Sequence, residues 1–180
     1  MTDAILQGLA LQALNMAKVD VQRNQFICLM AVYHEGSPLY RMKRIEARFV
    51  ETFGQNWLND GRKKDAVFDG LRFCVDAGKP DAVVFVTPSN MFKPTSKLEK
   101  LPPEQQKAII NQGHDGHHQA VRQGLFTIHD VLCAVAQNDK RVCLYNQSVR
   151  SSGLFYGQPQ VDFFDQADFD GRLKMYGKEQ

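Results

Sequence analysis

Neither sign of charge is in excess along this chain. Lys and Arg total 22 and Asp and Glu 20, a formal net charge of +2. Near-balance excludes the broad electrostatic field that draws a protein to nucleic acid or to an anionic lipid surface, so nucleic acid is not indicated as a partner. Long apolar runs are also lacking. Nothing approaches the roughly 20 residues of a membrane-spanning helix. The apolar N-terminal segment is interrupted by Gln7, Gln12 and Asn15 and has no basic residues before it, unlike a secretory leader. The expectation is a soluble, cytoplasmic protein with no membrane partner.

Paired cysteines are missing too. Cys28, Cys74, Cys133 and Cys143 form no C-x-x-C, and each lies in an apolar stretch. That spacing argues against a zinc ribbon or a disulfide framework and favours buried small hydrophobes in a reducing compartment. The phosphate-cradling glycine loops are absent, as is G-x-S-x-G. Pro80-Asp81 could open a PD-(D/E)xK nuclease motif, but no matching acid-x-Lys follows. Cysteine–histidine catalysis would need an exposed thiol.

What is present reads as one domain, residues 1–180, long enough for a sizeable core. The organising stretch is 81–87 (DAVVFVT). Its apolar, β-branched run, flanked by Pro80 and Pro88, predicts a strand buried on both faces. The carboxyl end of such a strand is where a ligand is commonly met in α/β layers. A helix with Val67, Leu71, Cys74 and Val75 on its apolar face leads into it, with Gly78 at its C′ position.

Upstream, Thr2-Asp3 caps an amphipathic helix reaching about Lys18, which covers a sheet. Its sharper reading is a partner-binding arm. Residues 26–34 (FICLMAVYH) predict a strand, with 39–42 returning beside it after the Glu35–Pro38 turn. Ile45, Phe49 and Phe53 predict a helix, whose basic start, Arg41 to Arg44, reads as a solvated edge.

Downstream, prolines at 88, 94, 102 and 103 predict a long surface loop over 88–103, with Pro103 opening a helix. Residues 128–137 (IHDVLCAVAQ) and 141–149 predict a hairpin. Ile128, Val131, Leu132 and Val135 also fit helical spacing, but strand is favoured. With Asn138-Asp139 as the loop, Val135 opposes Val142 and Cys133 opposes Leu144. Short strands are expected at 154–156 and 161–164. The fold class is α/β (or α+β): a single-layer mixed sheet of about five strands, with helices packed mainly on one face.

One cluster could carry chemistry, Gly113-His-Asp-Gly-His-His118. On a helix, His114 and His118 lie one turn apart and His117 is three residues from His114. With Asp115 these side chains suit a divalent metal, zinc or manganese, which could activate water for hydrolysis. His114-Asp115 resembles the dipeptide of HD phosphohydrolases, but the remaining histidine and aspartate of that pattern are not evident. Gly116 argues against a regular helix, and a polar loop explains the cluster as well. The aromatic-acidic stretch 162–171 reads as Phe163, Phe164 and Phe169 packed onto the sheet. Its acids do not fill an EF-hand register.

With no complete catalytic signature, the leading expectation is a non-enzymatic binding or accessory protein acting through a surface or as a homo-oligomer. The alternative is a metal-dependent hydrolase using His114, Asp115, His117 and His118.

Overall fold

In the computed structural model of the chain, the apolar run after Pro80 forms the first half of a strand, β3 (Ala82–Pro94), and residues 82–86 are all buried. The structure describes residues 1–23, 28–54, 57, 60–150, 152, 154–169 and 173–176, with the backbone alone at 113–115. The remaining elements are α1 (Asp3–Gln22), β1 (Leu29–Tyr33), β2 (Tyr40–Arg41), α2 (Lys43–Phe53), α3 (Gly61–Gly78), α4 (Ser96–Glu99), α5 (Pro103–Ile110), α6 (Gly113–Arg122), β4 (Phe126–Gln137), β5 (Arg141–Val149) and β6 (Phe155–Asp165). The strands form one antiparallel sheet in the order β2-β1-β3-β4-β5-β6. Contacts divide the chain into two compact units, Met1–Pro88 with Leu132–Gln180, and Ser89–Val131.

In the first unit, strand alternation sorts the core into two layers. Leu29, Ala31, Ala82, Val84, Val86, Leu132, Ala134, Ala136, Cys143 and Tyr145 point to one face and meet Leu6, Leu9, Ala10, Ala13, Leu14 and Ala17 of α1. Alanines on both sides leave little between backbone and backbone, so the helix can lie close to the sheet. Met30, Val83 and Phe85 point to the other face and meet Val67, Phe68, Leu71 and Val75 of α3, with Ile45, Phe49 and Phe53 of α2 alongside. Edge-on aromatic contacts run from Phe49 through Trp57 and Phe68 to Phe85, with centroid separations of 6.4, 6.3 and 5.2 Å.

Polar ties fix the ends of these elements. The Asp60 side chain accepts from the Arg62 and Lys63 amides and caps α3. Gln137, fully buried at the end of β4, donates from Nε2 to the Leu173 carbonyl at 2.6 Å and accepts the Met175 amide at 2.9 Å. Two hydrogen bonds from one side chain thereby hold the irregular segment 173–176 against the α3 side of the core, where Met175 is buried.

In the second unit, Leu98, Ala120 and Phe126 form a small core with Phe92, Leu101, Ile109, Val121 and Leu125 around it. Helix α6 ends in a Schellman arrangement: Leu125 N–H reaches the Ala120 carbonyl and Gly124 N–H reaches that of Val121, both at 2.9 Å. Gly124 supplies the positive φ of 71° that this turn needs.

The fold class stands, with corrections of detail. Six strands replace about five. The sheet is antiparallel rather than mixed, because β3 pairs with β1 and not with β2, and β1 runs opposite to both. Helices cover both faces, not mainly one, since β1, β3 and β4 are apolar at both odd and even positions. The expected loop at 88–103 is strand as far as Pro94. Among the described residues, pairing with β1 ends at Leu29↔Val86.

The left-handed residue after α3 is Lys79, at φ 42°, not Gly78. Residues 128–137 are strand, as expected. The hairpin closes one step later than the sequence suggested, because Asn138 N–H donates to the Arg141 carbonyl and leaves Asp139-Lys140 as the loop. Cys133, Val135, Val142 and Leu144 still share one face. The two short C-terminal strands are one, β6, with a bulge opposite residues 146–148. Phe163 and Phe169 pack as expected, and Phe164 lies 6.2 Å from Phe169. Asp170 and Gly171 of the acidic stretch lie outside the described residues.

Phe85 is fully buried between β1 and α3. Phe85→Ala is expected to cost about 3–5 kcal/mol, measured as a lowered urea midpoint followed by the fluorescence of Trp57, the single tryptophan.

Candidate functional site

Three places in the structure concentrate chemistry or exposed apolar surface. The first is α6. Its backbone is helical through Gly116, so the glycine does not break it. A Cβ at Gly116 would collide with the Gln112 side chain, which folds over that position. His114 and His118 therefore stand one turn apart along the backbone, while the side chains of His114 and Asp115 lie outside the described residues.

His117 Nε2 lies 2.8 Å from the carbonyl of Ile110, the last residue of α5, and donates to it. In the neutral ring that bond leaves Nδ1 unprotonated. The ring packs between Phe92 and Phe126, with centroids at 5.1 and 5.2 Å, and His118 meets Phe92 edge-on at 5.2 Å. The stretch after β3's buried half and the histidine helix thus come together at Phe92. This geometry ties α6 to the end of α5. It is also how a metal-ligating imidazole is oriented, through its second nitrogen on a carbonyl. Among the described residues, no three His, Cys, Asp or Glu side chains form a group that could hold a metal ion.

The second place is a cleft of about 310 Å³ lined by Asp20, Cys28, Arg41, Lys43, Glu46 and Val50. Arg41 is not the solvated residue its basic neighbours suggested. Its guanidinium contacts Asp20 at 2.6 Å and Glu46 at 2.9 Å, and Glu46 also accepts the Met30 amide at 2.8 Å. Lys43 and Arg44 are exposed, as expected of that run. With two carboxylates already on Arg41, the cleft is a structural tie between α1, β2 and α2 rather than an anion site.

Cys28 faces this cleft, and burial, followed by the Glu46 charge, pushes its thiol up to about 12. Burial does the same to Cys133 and Cys143. None of these thiols is a thiolate at neutral pH, which removes them as nucleophiles.

The third place is the outer face of α1, to which the sequence reading gave only a secondary role. No residue from 4 to 17 is ionisable. The charges at its ends are turned toward the first unit. Asp3 receives Arg141 through two bonds of 3.0 and 2.8 Å, which hold its carboxyl below the usual range. Asp20 pairs with Arg41, and Lys18 Nζ sits over the Phe155 ring at 5.2 Å. Ile5, Leu11 and Val19 are 44–47 % exposed beside exposed Ala4, Gly8, Gln12 and Asn15. The legible signal was compositional: the helix is apolar or amide-bearing all round, whereas a surface helix normally charges its outer side.

No protein-family model, curated protein or solved structure matches the chain. Function is therefore argued from these sites alone.

The thiol positions carry a pH signature. Unfolded, each thiol ionises near 9.0; folded, Cys28, Cys133 and Cys143 hold their protons to about 12. The unfolded chain binds fewer protons in that interval. Stability is thus unaffected by these groups below about pH 9 and falls as pH rises toward 12. Urea midpoints from pH 7 to 11 are expected to drop above pH 9, and to drop less in Cys133→Ala.

Proposed function

We propose that this chain is a non-enzymatic binding protein whose working surface is the outer face of α1. The observation that carries this reading is the run of 14 residues, 4–17, without an ionisable side chain on a helix whose outward side is exposed. Scattered exposed apolar residues are ordinary, but here Ile5, Leu11 and Val19 share one uncharged helix face with Ala4 and Gly8, which favours contact with a partner. Gln7, Gln12 and Asn15 give the face hydrogen-bonding capacity without the desolvation cost of a charge. The four free thiols, three of them buried, support a reducing, cytoplasmic setting.

The test is Leu11→Glu. Leu11 faces outward, so the folded chain is expected to lose no more than about 0.5 kcal/mol. Association, read as mass by light scattering or as a co-purifying partner, is expected to disappear. Association unchanged in this variant would overturn the reading.

A second reading, a metal-dependent hydrolase with His114, Asp115, His117 and His118 as ligands to zinc or manganese, draws support from the unbroken helix through Gly116. Metal analysis of untagged protein separates the two. The binding reading expects no stoichiometric metal. One equivalent, lost in His114→Ala/His118→Ala, would establish the hydrolase instead.

A further inference from the structure

We propose that the occupant of the α1 face is a second copy of this chain, its helix packed antiparallel to the first about a two-fold axis through Gln12. The inference rests on the reading of that face as the working surface, and spacing carries it. The exposed positions Ala4, Ile5, Gly8, Leu11, Gln12, Asn15 and Val19 follow a seven-residue repeat, with Ile5, Gln12 and Val19 on one line. Ile5 and Val19 are equally far from Gln12. A two-fold rotation there sets Ile5 against the second copy's Val19 and Val19 against its Ile5, the self-complementarity that an isologous contact requires. The residue on the axis is a carboxamide, which donates and accepts at once, so two copies of Gln12 satisfy each other.

Gly8 adds an independent argument. Glycine inside a helix costs about 1 kcal/mol relative to alanine, and among the described residues a Cβ here would meet no atom within 4 Å. Open space above a glycine, next to Ala4, suits the close approach of another helix.

Charge selects the direction. At the N-terminal end of α1, Asp3 and Asp165 share Arg141, and Glu35, Asp81 and Asp139 line a cleft with Met1 and Ile5, so anions exceed cations there even with the Met1 amine counted. At the C-terminal end, Arg41, Lys18, Arg23 and Lys43 stand with Asp20 and Glu46, four cations against two anions, net +2. Antiparallel packing opposes these ends and also opposes the helix dipoles. Parallel packing would set like against like. The strip from Ala4 to Val19 is about 22 Å long at 1.5 Å per residue. A contact of that size is at the small end for stable association, so a micromolar dimer is expected.

The experiment uses the full chain with Cys74→Ser, which removes the one native thiol that is not buried. Gln12→Cys alone, and Ile5→Cys with Val19→Cys together, are expected to give covalent dimers with a short bis-maleimide. Ile5→Cys alone and Val19→Cys alone are not. Sedimentation of the wild type at about 100 µM is expected to show dimer mass.

A monomer at every concentration with no cross-linking overturns the inference. If Leu11→Glu then loses a co-purifying partner, the surface reading survives without it. Cross-linking by Ile5→Cys alone overturns the antiparallel arrangement. A dimer that persists in Leu11→Glu overturns both, because it uses another face.

Discussion

The first unit depends on covering β3 from both sides. Five consecutive residues, Ala82 to Val86, carry no polar side chain, and each successive one points to the opposite face. Neither face can meet water without exposing valine or phenylalanine, so a helical layer is required above and another below. α1 supplies one, α2 and α3 the other. The order of the sheet follows from the same need: β3 lies between β1 and β4, whose corresponding segments are equally apolar.

The two layers solve the problem with different chemistry. On the α1 side, Ala10, Ala13 and Ala17 of the helix meet alanines of β1, β3 and β4, with Leu6, Leu9 and Leu14 packed among them. On the other side, phenylalanines and Trp57 fill a thicker gap in edge-on contact. This asymmetry bears on function. Leu6, Leu9 and Leu14 turn inward with the alanines, and Ile5, Leu11 and Val19 are left outside. Its three ionisable residues, meanwhile, are engaged near its ends: Asp3 by Arg141, Asp20 by Arg41 and Lys18 by Phe155. The ties that seat α1 are the same ones that leave its outer face uncharged.

The histidine helix shows how one geometry serves two ends. His117 bonded to the Ile110 carbonyl and packed between Phe92 and Phe126 secures the junction of α5 and α6 within the second unit. The same bond would orient a ligand. Chemistry at that helix therefore turns on whether other donors converge with His117, a question for metal analysis rather than for the motif.

The sequence by itself determined the elements whose signals are local. The buried strand beginning at Ala82, the hairpin strands either side of 138–140, the helices starting near Lys43 and at Pro103, and the burial of three of the four cysteines (Cys74 is half-exposed instead) follow from periodicity, β-branching and turn chemistry, which act over a few residues. Only the tertiary structure decided what depends on distant neighbours. Pro88 and Pro94 lie within β3, where their local turn chemistry predicted a loop. Gly116 stays helical, and a Cβ there would collide with the Gln112 side chain. Arg41 leaves solvent because Asp20 and Glu46, 21 and 5 residues away in sequence, converge on it. The α1 face is the mixed case: its lack of charge is written in residues 4–17, but which side looks outward was settled only when the alanines found the sheet.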